Sequence, residues 1–132
     1  MSPQVISRKL SLLATYAHDL REFHQAGKVE QDHYAIERLV QVIVEVMFDI
    51  VSHWLADQGL CQADSYADVF KEAGERKLIT PELAASLARA GRMRNLLVHM
   101  YEAVDLQKLR AAIPQALSDV DEFIRQVQQS LK

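Results

Sequence analysis

Apolar residues recur along this chain at spacings of three and four, and the stripes they draw predict five helices. Val5, Ile6, Leu10, Leu13, Ala17 and Leu20 mark the first, opened by Ser2 and Pro3 and stopped by Gly27. The second runs from about residue 31 to residue 58, with Ile36, Leu39, Val40, Ile43, Val44, Met47, Ile50, Val51, Trp54 and Leu55 as its stripe and Gly59 as its stop. Val42, Val46 and Phe48 widen that stripe beyond what one core needs, so it is either enclosed by several helices or shared with another chain.

A brief third helix through Tyr66, Val69 and Phe70 takes Asp64 or Ser65 as its cap, and Gly74 weakens its end. The fourth opens on Thr80, Pro81 and Glu82: a capping hydroxyl, an imino acid where a missing N–H does no harm, and an acid at the positive end of the dipole. The last starts at Asp105 and continues through Leu109, Ile113, Leu117, Val120, Phe123, Ile124 and Val127. Pro114 falls inside it, which predicts a kink or break near Ala112. Long helices with short connections predict an all-α fold, an antiparallel bundle of four major helices plus the short one, as a single domain over residues 1–132.

Composition supports this. The 132 residues are 49% hydrophobic, enough for a real core, and only four glycines and three prolines interrupt them. The single Cys61 cannot form an internal bridge and the N-terminus has no apolar signal core, so a cytoplasmic location is expected. The apolar stretch over residues 36–55 carries Glu37, Arg38, Gln41, Glu45, Asp49 and His53, which a bilayer core would reject, so a buried helix and no membrane span is expected. A net charge of −3 gives no bulk attraction for nucleic acid, so any RNA contact must be local, and Arg89, Arg92 and Arg94 gather on one helix.

The stretch RNLLVHMY, residues 94 to 101, carries the candidate chemistry. Leu83, Leu87, Ala90, Arg94, Leu97 and Tyr101 lie within roughly 40° of one line, so Arg94 occupies the centre of an apolar stripe. A guanidinium keeps its charge, and burying it unpaired costs several kcal/mol, so it must meet a carboxylate, a phosphate or water. Asn95 and His99 stack on the neighbouring face. One reading is structural: Arg94 pairs with an acid on the second helix, and His99 complements the helix dipole. The other is an anion site in which Arg94 and Asn95 hold a phosphate and His99 moves protons. Such a pair cleaves RNA without a metal, because the substrate supplies its own nucleophile, the ribose 2′-hydroxyl. One His per chain serves both acid and base more easily if two copies meet.

The remaining candidates are weaker. Asp49 and His53, four apart on the second helix, suit a supporting contact more than direct catalysis. His18, His24 and His33 lack zinc spacing and are expected to be solvated; no metal site and no cofactor is implied. Trp54, Phe48 and Phe70 are expected in the core, Tyr16 and Tyr34 are expected as amphipathic edge residues with reaching a partner the alternative for Tyr34, and Cys61 lacks partners for nucleophilic catalysis.

Arg94, four residues, His99, one residue and Tyr101 resembles the signature of the HepT toxins, a branch of the HEPN superfamily of helical-bundle ribonucleases. The setting, ERLVQVIVEVMFDIVSHWLADQGL followed by SYADVFKEAGERKLITPELAASLARAGRMRNLLVHMYEAVD, is similar to that family from about residue 34 to residue 105, and Asp49 and His53 match a similar pair in its members. Met93 and Met100 depart from the aromatic and acidic residues often found at those positions.

The resemblance implies a HEPN-like bundle and a metal-independent endoribonuclease toxin acting on tRNA or mRNA. It implies a homodimer whose two Arg–His pairs line a composite cleft. Arg94 and His99 would be catalytic, Asn95 would orient them, and Asp49 and His53 would support the site. An MntA-type nucleotidyltransferase antitoxin would transfer AMP onto Tyr101. This chain lacks the Gly-Ser and paired aspartates of such a transferase, so the modifying enzyme must be another protein. The rival from another class is a non-catalytic module that presents a substrate or nucleotide to a partner nucleotidyltransferase.

Overall fold

The computed structural model describes residues 3–59, 65–99 and 106–131, with side chains for all of these except 3 and 95–99. Five helices follow in order: α1 (Pro3–Ala26), α2 (Val29–Asp57), α3 (Tyr66–Glu75), α4 (Pro81–His99) and α5 (Leu106–Ser130). Among the described residues there is no strand. The architecture is all-α, as the spacing of apolar residues predicts.

Local signals in the sequence set the helix boundaries. Gly27 and Gly59 follow α1 and α2 at φ of 69° and 73°, left-handed backbone that a Cβ would strain. The Ser65 hydroxyl accepts the Asp68 N–H at 3.1 Å, and the Thr80 hydroxyl accepts the Leu83 N–H at 3.3 Å. α2 begins two residues before the expected start because Val29, 2% exposed, is drawn into the core. The start of α5 expected at Asp105 lies outside the described residues.

Pro114 lies inside α5, which continues through it, so the break that was one of the two expected outcomes does not occur. A helical proline leaves the carbonyl four residues earlier without its N–H partner. Here that carbonyl belongs to Arg110, which is exposed like Pro114 itself, so water can satisfy it. Leu109, Ile113, Leu117 and Val120 on either side are buried, and their packing holds both halves against the core.

α2 is the central element, packed against all four other helices. By length and composition alone it could cross a membrane. In the fold its stripe of Ile36, Ile43, Met47, Ile50 and Leu55 is almost fully buried against its neighbours. The widened part of the stripe, Val46 and Phe48 with Leu39 and Trp54, is half-buried along the edge of that core.

Two contacts fix α4, the helix that carries the motif, against its neighbours. On α5, buried Asp119 accepts the Ser86 hydroxyl at 2.6 Å and the Gln115 amide at 2.8 Å, while Gln126 accepts the Thr80 N–H at 2.8 Å. On α3, a Cβ added to Gly91 would lie 2.8 Å from the Cβ of Tyr66, and one added to Gly74 would lie 2.6 Å from that of Ala84. The two glycines therefore permit an approach of α3 to α4 that no larger residue would tolerate without movement.

Candidate active site

The site forms where α2, α3 and α4 meet. Arg94 lies on the inward face of α4, its side chain 17% exposed, and donates from Nη2 to Glu45 Oε1 at 2.5 Å. Its guanidinium carbon stands 4.8 Å from the centre of the Tyr66 ring, within cation–π range. The Tyr66 ring in turn rests on Phe48 of α2, with ring centres 4.4 Å apart. A planar cation is thus held at one edge by a carboxylate of α2 and on one face by an aromatic ring of α3.

Of the carboxylate, phosphate or water that Arg94 required, α2 supplies a carboxylate. The ion pair removes most of the penalty of placing a permanent charge in the stripe. Glu45, with its side chain 35% exposed, keeps contact with water.

Below Glu45 the same face of α2 continues as a polar ladder, because residues four apart lie nearly one above another. Asp49 Oδ1 meets His53 Nε2 at 3.2 Å, and its other oxygen bonds the ammonium of Lys9 from α1. All three side chains are between just under a third and just over a half exposed, so these contacts order a surface more than they stabilise the fold. Glu45, Asp49 and His53 therefore form one continuous acidic and basic edge beside Arg94. Asp49 and His53 are brought together as the spacing predicts.

Glu45, Tyr66 and Lys9 take part in this cluster although the sequence did not single them out. Glu45 carried a readable signal, one turn before Asp49 on an otherwise apolar helix. Tyr66 and Lys9 carried none, since their roles depend on how α1 and α3 pack on α2.

His99 is the last residue of α4, and Asn95 lies in the same helix one turn earlier; their side chains, and Tyr101 and Cys61 altogether, lie outside the described residues. The other histidines separate. His18 is exposed beside Glu22, whereas His33, expected to be solvated, is half-buried and meets Glu37 at 3.1 Å. The correction has a physical reason: Glu37 is 9% exposed and needs a polar partner four residues away. Phe70 is fully buried as expected, and Tyr34, 79% exposed, projects from the start of α2. Among the described residues no group of three or more His, Cys, Asp or Glu comes together as a metal site.

Comparison with known proteins gives concordant results. The family model described as "Ribonuclease HepT-like" matches residues 6–127. A protein named tRNA nuclease HepT from Aphanizomenon flos-aquae (strain 2012/KM1/D3) is 29% identical over 132 residues, covering 96% of this chain and 90% of that one. A crystal structure of a toxin-antitoxin with AMP-PNP contains a chain that superposes with a TM-score of 0.86 at 21% identity, covering 96% of this chain and 98% of the other. A tri-AMPylated Shewanella oneidensis HEPN toxin in complex with an MNT antitoxin gives 0.81 at 22% identity, over 98% and 99% of the two chains. The two solved structures share the fold.

Proposed function

This chain belongs to the HepT-like ribonuclease family, and we propose that it is the toxin of a toxin–antitoxin pair, a cytoplasmic, metal-independent endoribonuclease that acts as a homodimer of single-domain chains. The observation that carries this reading is the family match, which includes Arg94, whose guanidinium meets Glu45 and the Tyr66 ring. Arg94 and His99 stand at the two ends of one segment of α4. The family match spans that whole segment.

In the reaction, Arg94 binds the scissile phosphate and stabilises the charge that grows on its oxygens in the transition state. His99 takes the proton from the ribose 2′-hydroxyl, whose oxygen attacks phosphorus. The bond to the 5′-oxygen breaks, and the His99 of the second copy returns a proton to that leaving oxygen. The products are a 2′,3′-cyclic phosphate and a 5′-hydroxyl, with no water or metal consumed. Asn95 orients the pair, while Asp49 and His53 line the approach. The half-buried edge of α2 supplies apolar surface for the second copy. The relative named as a tRNA nuclease favours tRNA over mRNA as the substrate.

The partner is an MntA-type nucleotidyltransferase that neutralises the toxin by placing AMP on Tyr101. A neighbour of the same fold is a tri-AMPylated toxin bound to an MNT antitoxin, which supports this form of control. Expression of the chain alone in a bacterial host is expected to arrest growth, and co-expression of the partner transferase to restore it. A harmless chain would favour the non-catalytic presenting module instead.

A further inference from the structure

We infer that Glu45 and Tyr66 are positioning residues for the ribonuclease reaction, a two-sided clamp that sets the plane of the Arg94 guanidinium before RNA arrives. The inference rests on the ribonuclease reading of Arg94.

A carboxylate beside a phosphate-binding arginine needs an explanation, because it lowers the local positive potential and opposes the incoming anion. A site tuned only for affinity would leave it out. What Glu45 offers is direction. Arginine has a flexible stem whose rotamer freedom leaves an unrestrained guanidinium without a set direction. A charge-assisted bond of 2.5 Å to Glu45 pins one arm of the fork, and the Tyr66 ring at 4.8 Å fixes the plane from the side. A planar cation held at two points directs its N–H bonds along set lines, which is what stabilising a transition state demands.

The clamp is itself supported. Tyr66 opens α3 and is set against α4 at Gly91, three residues before Arg94. Phe48, three residues after Glu45, packs against the ring with centres 4.4 Å apart. Glu45 and Phe48 on α2, Tyr66 on α3, and Gly91 and Arg94 on α4 therefore meet within about one helical turn of each element. A simple structural ion pair would need the charge match alone. The ring and the glycine that admits it are additional, and both bear on the orientation of the guanidinium.

The test measures steady-state cleavage of tRNA by the full chain and its variants. Because Glu45→Gln keeps an acceptor oxygen and Glu45→Ala does not, kcat is expected to fall about 10-fold in the first and about 100-fold in the second, with KM changed less than about threefold. Tyr66→Phe keeps the ring and should retain more activity than Tyr66→Ala. In an Arg94→Ala background, Glu45→Ala should cause no further loss, since it acts only through the arginine. Circular dichroism of the isosteric Glu45→Gln variant separates this from unfolding. If Glu45→Ala cleaves as fast as the original chain while Arg94→Ala is inactive, or if the two losses multiply, the clamp is overturned and the ribonuclease reading stands. If the unmodified chain cleaves no RNA, both fall together.

Discussion

The Arg94→Ala protein is expected to fold and to cleave RNA at least about 10³-fold more slowly than the original chain, the range seen when a single charge-stabilising donor is removed from an active site. The fold should survive. Leu83 and Leu87 keep α4 in the core, Ser86 and Thr80 tie it to α5, and the Glu45 carboxylate released by the substitution is already in contact with water. Arg94→Lys should not restore the rate. An ammonium is a point charge that cannot span Glu45 and a phosphate or lie flat on Tyr66. Initial rates at saturating RNA, compared with helix content by circular dichroism, check both halves of this expectation. A variant that lost rate and structure together would assign Arg94 to the fold instead.

The second large effect concerns Tyr101. When the chain is co-expressed with the proposed partner nucleotidyltransferase, its intact mass is expected to rise by one or more AMP groups, the first on Tyr101, with complete loss of RNA cleavage. The physical basis is electrostatic and steric together. Each added phosphodiester brings a negative charge that pairs with nearby arginine, and the adenosine fills space the substrate needs. Tyr101 stands two residues past the end of α4 and seven past Arg94, close enough along the chain for that charge to act on the motif. Tyr101→Phe, which cannot accept AMP at that position, is expected to stay toxic when the transferase is present. Rescue of the phenylalanine variant, or an inhibited toxin with unmodified Tyr101, would move neutralisation to direct binding.

Much of this molecule was legible before the structure, and the legible part follows a physical rule. Helix existence, and the caps at Ser65, Thr80 and Gly59, are local, written in residues that contact their own backbone. The inward placement of Arg94 followed from helical periodicity, its need for a carboxylate, a phosphate or water followed from its permanent charge, and an acid on the second helix was one of the two readings. Pro114 misled because the sequence does not reveal that α5 turns that residue and Arg110 to water. His33 misled in a similar way, since the burial of Glu37 beside it depends on how α2 sits in the bundle.

The clamp shows the same limit from the other side. Glu45 belongs to a ladder with Asp49 and His53 that spacing alone suggests. Tyr66 reaches Arg94 only because α3 lies close on α4 at Gly91, a long-range fact with no signature in either helix. The resemblance to the HepT toxins is the source of the roles proposed for Arg94, His99 and Tyr101, since geometry alone left Arg94 open between a structural ion pair and an anion site.

The central claim, that Arg94 and His99 cleave RNA without a metal, is tested most directly by incubating the purified chain with tRNA in excess chelator beside its His99→Ala variant. The account predicts cleavage by the original chain that persists in chelator, leaves 2′,3′-cyclic phosphate ends and disappears in the variant. Cleavage that stops in chelator, or that continues undiminished without His99, would contradict it.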